Sequence, residues 1–135
     1  MQQRLQEIRN ALLSLHKTLV DSERVKYEKV VGEIKTPAHF LQLLTDDPWF
    51  AWLHPLSQLI VSMDEALDAK EPLTAPVAEA LIRQAGQMLV PQENTDGFAG
   101  HYFEALQSDP NVVMSHADVA KAIGRPKASA DKPRQ

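Results

Sequence analysis

Five histidines have the widest chemical range of any side chains in this 135-residue sequence, because imidazole binds metals and exchanges protons near neutral pH. Their spacing matches no metal motif: no glutamate stands three residues before a histidine, and no two histidines stand four residues apart. Cysteine is absent, which excludes disulfides, thiolate metal sites and cysteine nucleophiles. The motifs therefore predict no catalytic residue, no metal site and no cofactor.

Two of the histidines differ from the others in their position on the expected helices. His16 borders the leucine stripe of the first helix, and His116 lies within the apolar face of the last helix. His39, His54 and His101 fall away from the apolar faces and are predicted to be surface residues.

The apolar stripe of the first helix is interrupted by polar residues. Glu23 lies seven residues beyond His16 on the same side, and Tyr27 follows one turn later. A glutamate that faces a core must be paired or solvated, because burying a lone charge is costly. Three interpretations stay open: a structural hydrogen-bonded layer, an oligomer interface or solvated groove, and a ligand, metal or haem site completed by His116.

Both tryptophans lie in the segment from Thr45 to Leu56, which opens the most regular apolar stripe of the chain. Trp49 and Trp52 are predicted to belong to the core of a helix that Pro55 kinks. Such a kink could open a small cavity, so the two tryptophans are also candidate contacts of a hydrophobic ligand.

Helical periodicity runs through most of the chain, and no segment shows convincing alternation with a period of two. The predicted class is all-α, as an antiparallel four-helix bundle with two short additional helices. The expected helices span residues 2–34, 37–45, 48–69, 75–90, 98–107 and 110–124.

A shift of 62 residues aligns residues 39–54 with residues 101–116, and five of the sixteen positions are identical. One explanation is a duplicated helix–corner–helix unit packed with pseudo-twofold symmetry. The other is convergence, because Asp-Pro is a favourable way to begin a helix.

The segment from Tyr102 to Asn111 resembles the end of a tetratricopeptide repeat over about a dozen residues. An array needs several such units, and none precedes this one. The segment is therefore interpreted as an amphipathic helix followed by a capped helix, and no property of that family is transferred.

Charge divides the chain into a helical domain, residues 1–124, and a basic tail, residues 125–135. The domain holds 10 basic and 17 acidic residues, a net charge of −7, which argues against nucleic-acid binding by the folded part. The tail carries Arg125, Lys127, Lys132 and Arg134, and its composition predicts disorder. No signal peptide or membrane span is recognised, so a soluble cytoplasmic protein is expected.

The sequence favours a small interaction or regulatory protein without catalytic activity. Its expected partner is another protein or a second copy of the chain, bound through the first helix. The alternative is a ligand-binding bundle that holds a metal or haem with His16, Glu23 and His116.

Overall fold

The computed structural model describes residues 1–124, and every regular element in that range is helical. The elements are α1 (Gln2–Val30), α2 (Pro37–Asp46), a 3₁₀-helix (Pro48–Leu53), α3 (His54–Asp68), α4 (Ala75–Met88), α5 (Gly97–Ser108) and α6 (Pro110–Gly124). The all-α class is thereby confirmed. The predicted basic tail lies outside the described residues. None of the described helices combines the length and apolar character that crossing a membrane requires.

The core is built around α1, whose apolar stripe is fully buried at Leu5, Ile8, Leu12, Leu15 and Leu19. This helix packs against α3 and α6, and α4 contacts both of those helices as well as α1. Each buried side chain of this size stabilises the fold by about 1.5–3 kcal/mol relative to exposure.

Polar contacts near the helix ends show the relative directions of the helices. Arg4 of α1 donates to the carbonyl oxygen of Ile123 in the last turn of α6, at 2.9 Å. Arg9 of α1 pairs with Asp64 near the end of α3, with 2.6 Å between Nε and Oδ1. Since early residues of α1 meet late residues of both partners, α1 runs antiparallel to α3 and to α6.

The first helix is shorter than predicted, because it ends at Val30 and not near residue 34. Gly32 adopts φ +154°, a backbone angle that L side chains rarely adopt, and the chain leaves the helix there. The backbone N–H of Ile34 then donates to a carboxylate oxygen of Glu28 at 2.9 Å. As a result Val30 is 72% exposed, whereas Ile34 is buried outside the helix.

Four helical segments begin with a side-chain cap of the kind that the sequence suggests. The side-chain oxygens of Thr36 and Thr74 each accept a hydrogen bond from the backbone N–H three residues later. The carboxylates of Asp47 and Asp109 each accept one from the backbone N–H two residues later. The sequence predicts the caps at Thr36 and Thr74, because each threonine stands shortly before a proline at the start of an expected helix, and both caps are confirmed.

The prediction of a single kinked helix over residues 48–69 is wrong. Residues 48–53 form a 3₁₀-helix, and α3 begins at His54. Pro55 has no N–H to donate to the preceding turn, and the N–H of His54 bonds to Ala51 three residues back. The tighter winding brings Phe50 into the core with no exposure and leaves Trp49 half-buried.

Candidate functional site

His16 faces α3 rather than another histidine. Its Nε2 lies 2.8 Å from Oγ of Ser57, a half-buried residue in the first turns of α3. Burial lowers the pKa of His16 below its ordinary value, because the charged imidazolium loses solvation. The pair therefore joins α1 to α3 with a neutral imidazole at neutral pH.

Glu23 and Tyr27, predicted to share a polar layer with His16, have separate partners. Glu23 is buried and pairs with Lys26 one turn along α1, with 3.4 Å between Oε2 and Nζ. Tyr27 is buried among aromatic rings, with its centroid 5.6 Å from those of both Trp49 and Phe50. No hydrogen bond within residues 1–124 links Glu23 or Tyr27 to His16, so the three do not form one network there.

The two tryptophans lie in different aromatic contacts. Trp49 stands nearly perpendicular to Tyr27, at 86°, and its indole N–H is buried without a hydrogen-bond partner in the described chain. Trp52 is buried, and His101 of α5 stacks over it with 5.3 Å between centroids and 17° between planes. Phe98 also packs against Trp52, with 5.4 Å between the ring centroids. Both tryptophans therefore act as packing residues between elements.

His116 is paired with a buried tyrosine. The hydroxyl of Tyr102 lies 2.6 Å from Nδ1 of His116. Burial raises the pKa of the Tyr102 hydroxyl and lowers the pKa of His116, so at neutral pH the hydroxyl donates and the imidazole accepts. This contact joins α5 to α6.

The structure thus gives His16, Glu23 and His116, the predicted ligand set, three unrelated partners on three different elements. Among residues 1–124, no three histidine or carboxylate side chains are grouped so that they could hold a metal ion. His39, His54 and His101 are exposed, as predicted.

A groove that the sequence did not predict lies between α1 and the start of α6, with a volume of about 460 Å³. From α1 it is lined by Thr18, Asp21, Ser22 and Val25. From the beginning of α6 it is lined by Asp109, Asn111, Met114, Ser115 and Asp118. The contact between Oγ1 of Thr18 and Oγ of Ser115, at 3.1 Å, joins the two walls of the groove.

The walls of the groove combine two kinds of surface. Val25 is 52% exposed and Met114 is 67% exposed, so both present apolar surface to solvent. The charged residues of the lining are Asp21, Asp109 and Asp118, all acidic. The arrangement therefore offers apolar contact and negative charge within one depression.

The carboxylates of the groove are only partly engaged. Asp21 pairs with the exposed Lys17 at 3.6 Å, a contact that solvent screens strongly. Asp109 caps α6 through Oδ1, which accepts from the N–H of Asn111 at 2.9 Å. Asp118 has no ion pair within residues 1–124, although Lys121 lies one turn further along α6. The groove therefore keeps a negative potential.

Comparison of the chain with protein-family models, with curated proteins and with solved structures finds no match. The geometry of the chain itself is consequently the basis for the functional proposal.

Proposed function

We propose that this protein is a helical interaction module, and that the groove between α1 and α6 binds a basic, amphipathic segment of a partner protein. The observation that carries the proposal is the pairing of exposed Val25 and Met114 with three carboxylates in one depression. Covering exposed apolar surface lowers the free energy of the complex, and the carboxylates favour a cationic ligand.

The spacing of the lining residues suits a helical ligand. On α1 the lining positions are 18, 21, 22 and 25, and on α6 they are 111, 114, 115 and 118, so each helix contributes one face over about two turns. Two turns extend for about 11 Å. A ligand helix with apolar residues three and four positions apart would place them between those faces, as helix-in-groove ligands do.

Binding rather than catalysis is the proposed mode of action. His16 is bonded to Ser57 and His116 to Tyr102, and each pair joins two helices. Neither histidine is among the residues that line the groove. Their contacts support a structural role.

The test is an NMR titration of the ¹⁵N-labelled full chain with a synthetic 14-residue peptide. The peptide has leucine three and four residues apart and lysine elsewhere. One control peptide replaces each lysine by glutamate, and a second replaces each leucine by serine. We expect shifts of the groove amides with the leucine–lysine peptide and much weaker shifts with both controls.

Matched variants locate the binding surface. Val25→Ser should weaken binding roughly fivefold. The substitution removes apolar surface whose burial contributes about 1 kcal/mol to the binding free energy. The control is Val61→Ser on α3, since Val61 is 49% exposed and lies outside the groove. Equal effects of the two substitutions, or shifts centred on another surface, would contradict the proposal.

We also propose that α1, α3, α4 and α6 constitute an antiparallel four-helix bundle that arose by duplication. Support comes from the aligned corners, where Asp47 and Asp109 both cap a helix. The aligned histidines also turn back to the preceding short helix, His54 to the carbonyl oxygen of Leu44 and His116 to Tyr102. An experimental structure in which α1–α3 fails to superpose on α4–α6 by a rotation near 180° would argue against duplication.

Self-association through α1 has less support than partner binding. Its leucine stripe is covered by other helices, and its exposed large apolar residues are Leu13, Val25 and Val30. Sedimentation of the chain at several concentrations tests this proposal, and a monomer at all of them would reject it. A cytoplasmic location stays a prediction.

A further inference from the structure

We infer that the basic segment 125–135 of the same chain occupies the groove when no partner is bound, so that a partner must displace it. This inference rests on the proposed function of the groove. It assigns to the protein an internal competitor for its own binding site.

Charge complementarity is the first argument. Segment 125–135 carries four basic residues and one acidic residue, a net charge of +3. The groove presents Asp21, Asp109 and Asp118. Lys17 beside Asp21 and Lys121 beyond Asp118 reduce the negative potential but lie outside the lining. The positive charge of the segment and the negative charge of the groove attract each other at low ionic strength, and added salt screens that attraction.

Chain geometry is the second argument. The segment continues from Gly124, the last residue of α6. Along α6, Asp118 lies about 9 Å and Asp109 about 22 Å from that point, at 1.5 Å per residue. Eleven residues reach at most about 40 Å when fully extended. The segment is therefore long enough to return along α6 over the whole groove.

The composition of the segment explains why a partner could displace it. It contains alanine, proline, serine and charged or amide side chains, with no large apolar residue. It can satisfy the carboxylates but covers Val25 and Met114 poorly. Its high effective concentration offsets weak contacts, because the linkage to α6 makes binding intramolecular.

Direct contact is tested with a spin label, which the absence of native cysteine makes simple. A nitroxide on Ser129→Cys in the full chain should broaden the amide signals of Val25 and Asn111, at the far end of the groove. The broadening should decrease strongly in Asp21→Asn/Asp118→Asn and in 0.5 M NaCl. It should persist in the matched control Asp46→Asn/Asp96→Asn, which removes two carboxylates outside the groove. Broadening confined to the last turn of α6 and unchanged by these substitutions would overturn the inference.

Competition separates this inference from the proposed function. The four basic residues of the segment are replaced in the full chain: Arg125→Gln, Lys127→Gln, Lys132→Gln and Arg134→Gln. The leucine–lysine peptide should bind this variant about threefold to tenfold more tightly than the wild type, because the competitor is weakened. Equal affinity for both chains would reject the internal competitor and leave the proposed function intact. No binding to either chain would reject the proposed function, whereas the spin-label result would still decide whether the segment contacts the groove.

Discussion

The C-terminal half of α1 has two flanks that are filled in different ways. On one flank, Tyr27 packs against Trp49 and Phe50, and the interface contains closely spaced aromatic rings. We call this the closed flank. On the other flank, Val25 and its neighbours face the start of α6 across the groove, which we call the open flank.

The difference follows from the side chains at two aligned positions. In the alignment with a shift of 62 residues, Trp49 corresponds to Asn111 and Trp52 to Met114. Trp49 and Trp52 pack against Tyr27 and His101, whereas Asn111 and Met114 are exposed and line the groove. Similar helix starts can therefore fill a flank or leave it open, depending on the volume of the residues that follow the proline.

The largest expected effect is on the closed flank. Phe50→Ala should lower the free energy of unfolding by about 3–5 kcal/mol, because it leaves a cavity among Tyr27 and Phe40. The aligned substitution Val112→Ala also removes a fully buried side chain, and it should cost about 2 kcal/mol. Urea denaturation of both variants measures the difference. Equal losses would mean that the two flanks are packed alike.

The second prediction concerns pH. Burial lowers the pKa of His16 and His116 in the folded state, so the unfolded chain binds protons that the folded chain does not. Their contribution to stability is complete above the unfolded value of about 6.5 and is lost as pH falls toward the folded values. Denaturation at pH 7.5 and 5.5 should show this loss, and His16→Gln should reduce it. The exposed His39→Gln serves as a control, and an equal pH dependence in all three chains would contradict the prediction.

Two serines allow a matched test of the polar contacts of α1. Ser57→Ala removes the 2.8 Å contact with His16 on the α3 side and should cost about 1 kcal/mol. Ser115→Ala removes the 3.1 Å contact with Thr18 at the end of the groove. Its cost should be about half as large, since Thr18 keeps its hydrogen bond to the carbonyl oxygen of Ser14. Thermal unfolding compares the two, and a larger effect of Ser115→Ala would reverse the ranking.

The smallest expected effect on stability comes from placing an aromatic side chain in the groove of the open flank. Asn111→Trp places an indole where the alignment puts Trp49, and it should change the free energy of unfolding by less than about 1 kcal/mol, because Asn111 is exposed. The same substitution should abolish binding of the leucine–lysine peptide. Retained binding with unchanged affinity would place the peptide outside the groove.

Much of the fold follows from local sequence signals. The leucine spacing of α1 and the caps at Thr36 and Thr74 depend on short-range geometry, so the sequence suffices to predict them. The end of α1 and the 3₁₀ winding before His54 depend on where the chain reverses and how Pro55 removes a donor. The spacing of apolar residues alone therefore predicts neither the end of α1 nor the 3₁₀-helix.

The candidate site was harder to predict because it depends on how helices are placed. The position of His16 beside the leucine stripe marks it as unusual, but its partner Ser57 lies 41 positions away in the sequence. The groove forms between α1 and α6, whose contacting residues Thr18 and Ser115 are 97 positions apart, so no local motif marks it. The signal that could have found it is the contrast between Trp49 and Asn111 in the aligned segments, which predicts missing volume on one side.

The placement of the two tryptophans has a practical consequence for spectroscopy. Trp49 lies edge-on to Tyr27 on the closed flank, Trp52 lies beneath the imidazole of His101, and neither ring is among the residues that line the groove. Intrinsic fluorescence will therefore follow melting of that flank while a ligand enters the other side with little optical change. Screens for partners of this protein should use an extrinsic dye attached beside Met114.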